Sequence, residues 1–191
     1  MSSGSSVAGL ERVTWRPRER VRTTTALAVL GVIALALAAL PGERAVIAAL
    51  TGPVLVVLSA IDIQRRIIPN RIVLPAAALV LVVHVAMAPA QTAEWVLAPL
   101  TAAVVLAIPT VLGRDWIGMG DAKLALLLGA ALGWGVIVAV LLAFVSTLPA
   151  ALFLVARDGI GARKSKLAMG PFLALGAMLV MFGPSLLGLS S

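Results

Sequence analysis

The chain has 191 residues, of which 61% are hydrophobic and 12% are charged, and its mean hydropathy is +1.11. Because a soluble domain has about half of its residues apolar and about a quarter charged, this composition excludes an ordinary soluble protein. The chain has no cysteine, which excludes a disulfide framework, a thiolate zinc site and a catalytic thiol. The formal net charge of +7 leaves nucleic-acid binding to be tested against the placement of the charges.

Apolar runs follow one another along the chain, and several approach the roughly 20 residues that a helix needs to cross a bilayer. They lie near residues 24–40, 45–61, 71–88, 93–112, 121–134, 136–156 and 167–187. We predict an all-α, polytopic transmembrane helix bundle of about six or seven spans, because the short run 121–134 leaves open whether it crosses fully. Residues 1–23 are predicted to be a disordered basic tail, and residues 24–191 a single transmembrane domain.

The positive charges alternate along the chain. The N-terminal tail and the joints after the second, fourth and sixth runs carry 14 of the 15 lysines and arginines, and the other joints carry only Arg44. If the basic joints are cytoplasmic, every crossing obeys the positive-inside rule, with the N-terminus inside and the C-terminus outside. A nucleic-acid surface would not place its cations on every second joint between apolar runs. We therefore predict the lipid bilayer, and no nucleic acid, as a partner.

Two aspartates interrupt the apolar sequence. Asp62 closes the second run and Asp121 opens the fifth, and the charge count places both at the cytoplasmic side. An acid in or near the hydrocarbon is expensive and indicates a functional site. The structural alternative is that both are helix-end residues at the headgroup level, where Asp121 would favour a helix N-terminus and Asp62 would lie at the unfavourable C-terminus. Taken one at a time, the two aspartates leave both interpretations open.

The neighbours of the aspartates favour a packed helix junction. Pro69 fixes a turn, and Asn70 is a natural N-cap for the run that follows. Gly118 and Gly120 allow unusual backbone conformations and the close approach of another segment just before Asp121. These residues would bring one carboxylate beside a second one.

Two aspartates within hydrogen-bonding distance can share one proton. Such a pair can act as a general base toward water and as a general acid toward a leaving amine. That chemistry hydrolyses a peptide bond without a metal, a nucleophilic side chain or a cofactor, so we expect neither metal nor cofactor.

Three stretches carry a family resemblance. They are DIQRRIIPN at 62–70, GMGDAK at 118–123 and MGPFLALGA at 169–177. Together, in this order, they resemble the motifs of type IV prepilin peptidases. The resemblance implies a membrane aspartyl protease of the GxGD class with Asp62 and Asp121 as catalytic residues. It also implies that pilin-like precursors are the partners, cut at the cytoplasmic face of the inner membrane between a short basic leader and an apolar stem.

The chain is similar to the compact, peptidase-only branch of that family, which serves Tad/Flp-type pilins and archaeal preflagellins. Larger bacterial members carry an N-terminal insertion with paired Cys-x-x-Cys motifs, and this chain has no cysteine. Methyl transfer by this chain is therefore not expected, and the sequence does not indicate whether a separate enzyme methylates the product. The sequence does not indicate the oligomeric state.

Other polar and helix-breaking residues are interpreted as follows. Lys123 could steady the charge of the aspartates or bind a lipid phosphate, and Gly170 and Pro171 could shape a substrate groove or simply begin the last span. His84 is interpreted as a packing or interfacial residue far from the aspartates. Asp115 is a minor rival for the catalytic position.

Two other functions compete. Presenilin-like and signal-peptide-peptidase-like enzymes share the Gly-x-Gly-Asp motif, but they carry a late Pro-Ala-Leu that is absent here. A small proton-coupled transporter could use paired aspartates as a relay, although its acids would be expected near the bilayer midplane, often in repeated halves.

Overall fold

The structure, a computed structural model, describes residues 19–112, 118–158 and 168–186, and these residues form seven α-helices and no strand. The helices are α1 (Glu19–Ala39), α2 (Gly42–Arg65), α3 (Asn70–Met87), α4 (Thr92–Val111), α5 (Met119–Leu132), α6 (Gly135–Asp158) and α7 (Gly170–Leu186). A single 3₁₀ turn at Pro89–Gln91 precedes α4. The predicted all-α bundle is confirmed, and each predicted run corresponds to one helix.

Helix lengths fit a polytopic membrane protein. Within the described ranges, four helical segments are long and apolar enough to cross a membrane: Gly42–Arg65, Asn70–Met87, Pro89–Val111 and Gly135–Phe153. Two shorter apolar segments lie at Thr24–Ala39 and Gly170–Ser185. Helix α1 begins at Glu19, five residues before the predicted boundary, and the rest of the predicted tail lies outside the described residues.

The short helix α5 lies at the centre of the bundle. Its 14 residues span roughly 21 Å, less than the roughly 30 Å of a hydrocarbon core. Most of its residues are buried, and they include Leu124, Leu127, Leu128 and Ala131. A helix that is apolar all round belongs inside a protein, and α5 packs against α3, α4, α6 and α7. Most of this short helix is therefore covered by other helices, whereas its first residue, Met119, is 47% exposed.

Contacts between remote residues define two ends of the bundle. At one end, which we call the aspartate end, the last turn of α2 meets the first residue of α7, and the first turn of α5 meets the α2–α3 joint. At the opposite end, the histidine end, His84 of α3 hydrogen-bonds Glu43 Oε1 through Nδ1 at 2.8 Å. Its Nε2 lies 3.4 Å from the carbonyl oxygen of Ala131, and its ring stacks on Trp95 at 3.7 Å between centroids. His84 is therefore a buried packing residue, joined to α2, α4 and the far end of α5.

Two glycines let helices approach closely. A Cβ on Gly129 of α5 would collide with the backbone of Pro99 in α4, and a Cβ on Gly176 of α7 would collide with the Ala139 carbonyl oxygen of α6. Backbone atoms cannot move aside as a flexible side chain can, so these contacts fix the spacing of both helix pairs.

We therefore expect Gly129→Ala to lower the free energy of unfolding by about 1–3 kcal/mol, the usual range for overpacking. The matched control is Gly31→Ala, whose added methyl group meets nothing within 4 Å and should be neutral or slightly stabilising. Thermal unfolding in detergent measures both. Equal melting temperatures for the two variants would contradict the close α4–α5 packing.

Candidate active site

Asp62 lies in the last turn of α2, where it is buried with 6% exposure. The helix ends just after it because Arg66 adopts the left-handed conformation (φ 55°, ψ 38°). The Arg66 N–H then donates to the Asp62 carbonyl oxygen at 2.7 Å, a common way to terminate a helix. The Asp62 side chain is thus held at the C-terminal end of its own helix, which is unfavourable for a negative charge.

A second helix compensates for this position. The backbone N–H of Gly170, the first residue of α7, donates to Asp62 Oδ2 at 2.8 Å. The N-terminus of a helix presents free N–H groups and a partial positive charge to an anion. A Cβ on Gly170 would lie 2.7 Å from the same oxygen and 3.1 Å from Asp62 Cγ. Glycine is therefore the residue that fits between α7 and this carboxyl group.

Asp121 is also a buried carboxyl group, and its hydrogen-bond donor comes from the start of its own helix. It lies in the first turn of α5, is 8% exposed, and its Oδ2 accepts the Gly118 N–H at 3.1 Å. The Asp121 N–H in turn donates to the Gly118 carbonyl oxygen at 2.9 Å. The contact between the Asp121 carboxyl group and the Gly118 N–H is the half of a capping box in which the side chain at N3 accepts the N-cap backbone N–H. Both carboxyl groups therefore lie at a helix N-terminus, Asp121 at that of α5 and Asp62 at that of α7.

The two carboxyl groups lie at the same end of the bundle, Asp62 in the last turn of α2 and Asp121 in the first turn of α5. Each uses Oδ2 for a backbone N–H, and within the described residues no hydrogen bond reaches either Oδ1. A carboxyl oxygen retains lone pairs for further partners. Within the described residues, one oxygen of each carboxyl group is therefore left for a further partner.

The glycines of GMGDAK have a narrower role than predicted. Gly118 (φ −77°) has an ordinary backbone conformation, and neither Gly118 nor Gly120 has a positive φ, so the predicted need for unusual conformations is wrong. The predicted close approach is found at Gly120, where a Cβ would lie 3.3 Å from Ile68. Ile68 is buried and belongs to the IIPN stretch, so this contact joins the first two motifs.

The predicted cap at Asn70 is also corrected. Pro69 occupies the N-cap position of α3 with φ −73° and ψ 124° and makes no side-chain cap, and its carbonyl oxygen accepts the N–H groups of Ile72 and Val73. Asn70 is consequently the first helical residue, and its side chain is exposed. Pro69 does form the predicted turn between α2 and α3.

The other residues singled out in the sequence have different outcomes. Pro171 lies in the first turn of α7, where proline is tolerated. Lys123 is partly buried, and among the described residues it forms no ion pair with either aspartate, so the lipid-phosphate alternative stays a prediction. Asp115 lies outside the described residues. The described part of the chain contains no group of three or more side chains suited to hold a metal.

A pocket opens beside Asp121. We call it the Asp121 pocket, and it is lined by Leu106, Asp121, Ala143, Phe144, Thr147, Met169 and Leu173. Sequence reasoning missed the lining from α4 and α6, because those residues look like ordinary membrane-facing positions. The only part of the lining that the sequence motifs indicated is Met169 of the MGPF stretch. Its neighbour Gly170 donates a hydrogen bond to Asp62.

The chain matches the family model of the type IV leader peptidase family over residues 49–189, about three-quarters of its length. No curated protein and no solved structure matches it. The matched region contains all three motifs and every described residue of the site.

Proposed function

Because the chain belongs to the type IV leader peptidase family, and is therefore a peptidase, we propose that Asp62 and Asp121 form its catalytic pair. The observation that carries this proposal is the presence of two buried carboxyl groups at one end of the bundle, from α2 and α5, each held by a helix N-terminal N–H. Groups held in this way keep their orientation without a metal or a cofactor. We propose aspartic endopeptidase chemistry of the GxGD type.

In the proposed reaction one carboxylate removes a proton from water as the water oxygen attacks the amide carbon. The other carboxyl group, protonated at the start, donates its proton to the carbonyl oxygen. In the tetrahedral intermediate that forms, the first carboxyl group passes its proton to the amide nitrogen and the C–N bond breaks. The second carboxylate regains a proton from the diol, so one water is consumed and one acid and one amine are released.

The proposed substrates are pilin-like precursors with a basic leader and an apolar stem. A basic leader stays in the cytoplasm by the positive-inside rule. The described cations of the aspartate end include Arg65, Arg66 and Arg71, whereas Arg44 lies at the start of α2, at the opposite end. By the same rule the aspartate end would face the cytoplasm, at the level where leader and stem join.

Asp62→Asn and Asp121→Asn should each abolish cleavage of a pilin precursor, because an amide cannot exchange the proton. The double variant should be no worse than either single one, since residues that act as a unit are non-additive. Single-turnover cleavage in liposomes, with EDTA present, measures this. Asp115→Asn is the control and should keep most activity.

Robust cleavage by Asp62→Asn would show that Asp121 works with another partner. Loss of wild-type cleavage in EDTA, restored by zinc, would show that the aspartates serve a metal. Either result would end the two-aspartate mechanism.

Gly170→Ala should reduce the rate of cleavage at least tenfold, because its methyl group would displace the Asp62 carboxyl group. Gly183→Ala is the matched control on the same helix, since a Cβ there meets nothing within 4 Å. Cleavage rates and melting temperatures of both variants are compared. A Gly170→Ala enzyme with normal rates would mean that the α7 N-terminus does not position Asp62 for catalysis.

The membrane orientation can be tested with single cysteines, because the chain contains none. Gln64 and Gln91 are both exposed and lie at the aspartate and histidine ends. An impermeant maleimide should label Gln91→Cys in intact cells and Gln64→Cys only after permeabilisation. The reverse pattern would place the aspartates on the side opposite to a basic leader.

A further inference from the structure

Arg66 has an unusual backbone conformation next to one of the two proposed catalytic groups. Its φ of 55° and ψ of 38° lie in the left-handed helical region, and among the described residues it is the only one other than glycine with a positive φ. In this region the Cβ of an L-residue lies too close to the following carbonyl oxygen, so glycine adopts it most readily. An arginine therefore holds this conformation at a cost in free energy, and such costs cluster at functional sites.

The residues that follow Arg66 oppose the ordinary alternative, a right-handed helical conformation. With that conformation α2 would continue past Arg65, and each added residue turns the chain by roughly 100° about the helix axis. The buried Ile68 would then leave Gly120, where a Cβ would lie 3.3 Å from three atoms of the Ile68 side chain. Pro69 in addition disfavours a helical conformation at Ile68. The left-handed conformation of Arg66 is thus the one that fits its surroundings.

The turn at Arg66 connects the segments that carry both aspartates. On one side, the Arg66 N–H donates to the Asp62 carbonyl oxygen at 2.7 Å and ends α2 one turn after Asp62. On the other side, Ile68 packs on Gly120, the residue directly before Asp121. The joint between α2 and α3 has only four residues, so a change at Arg66 cannot be absorbed over a longer loop.

The guanidinium group of Arg66 takes no part in these contacts. The side chain is exposed, and within the described residues it forms no ion pair. A cation at this position also obeys the positive-inside rule, but the exposed Arg65 and Arg71 place two more cations in the same region. The charge of Arg66 is therefore duplicated by its neighbours, whereas its backbone conformation is not.

We propose that Arg66 is a positioning residue for the proposed catalytic pair, and that it acts through its left-handed backbone rather than through its charge. The conformation ends α2 just after Asp62 and holds Ile68 on the segment that carries Asp121. In this role Arg66 acts through the two aspartates and needs no contact with the substrate. The inference rests on the proposed function, because it assigns the two aspartates to catalysis.

Substitutions of Arg66 separate the backbone from the charge. Arg66→Gly and Arg66→Asn remove the charge but suit the left-handed conformation, so both should keep kcat for a pilin precursor in liposomes close to that of the unaltered enzyme. Arg66→Val removes the same charge and disfavours the conformation. It should leave KM nearly unchanged and lower kcat about tenfold or more, since a small misplacement of catalytic groups is costly. Arg66→Ala should lie between these variants. Arg65→Val, the same change at an exposed residue that is helical, is the matched control and should keep kcat.

A disulfide reports the position of the joint without any activity, since the chain has no other thiol. Ile68→Cys combined with Gly120→Cys places two Cβ atoms 3.3 Å apart, close to their separation in a disulfide. This pair should oxidise readily in the otherwise unaltered chain and together with Arg66→Gly. Together with Arg66→Val it should oxidise several-fold more slowly.

The outcomes separate the positioning role from the proposed function. High kcat with Arg66→Lys, which keeps the charge, but low kcat with Arg66→Gly and Arg66→Asn would assign the role to the charge and overturn the inference. Equal kcat and equal disulfide formation for Arg66→Gly and Arg66→Val would overturn it as well. If Arg66→Val does not fold, the same comparison is made between Arg66→Gly and Arg66→Ala. If the disulfide forms in the expected order but the unaltered enzyme cleaves no pilin precursor, the proposed function fails and the placement of the joint by Arg66 stands.

Discussion

The hydrogen bond from Gly170 to Asp62 is the contact on which the geometry of the site depends. A carboxyl group in the last turn of a helix, 6% exposed, opposes the dipole of its own helix and has lost most of its water. The N-terminus of α7 provides the missing donor across 108 residues of sequence. The contact also fixes α7 against α2, which brings Met169 to the pocket beside Asp121.

The short central helix α5 also provides a backbone donor for a buried carboxyl group at its N-terminus. Were α5 long enough to span the hydrocarbon, its first turn would lie at the headgroups. Its first turn begins at Met119, which is 47% exposed, and includes Asp121, which is 8% exposed and accepts the Gly118 N–H. Burial among α3, α4, α6 and α7 replaces the lipid contacts that a longer helix would make.

The fold could be predicted from the sequence because hydropathy marks membrane helices directly, and Asp62 and Asp121, which prove to be buried, could be singled out because an acid is rare in such a sequence. The contacts between remote segments could not. Gly120 packs on Ile68 and Gly170 on Asp62. The specific role of each glycine depends on these contacts, which the sequence does not show. Asn70 has the chemistry of a cap but lies one residue inside the helix. Lys123 is two residues from Asp121, a spacing that turns the two side chains to different faces of a helix.

The two ends of the bundle hold different polar side chains, and within the described residues the buried indole N–H of Trp95, at the histidine end, has no hydrogen-bond partner. At the histidine end both ring nitrogens of His84 have partners, Glu43 and Ala131, and the ring stacks on Trp95. Such a cluster holds helices together and leaves His84 no free ring nitrogen for a substrate. At the aspartate end one oxygen of each carboxyl group has no hydrogen-bond partner within the described residues. In the proposed mechanism, water and the peptide carbonyl would bind at those two oxygens.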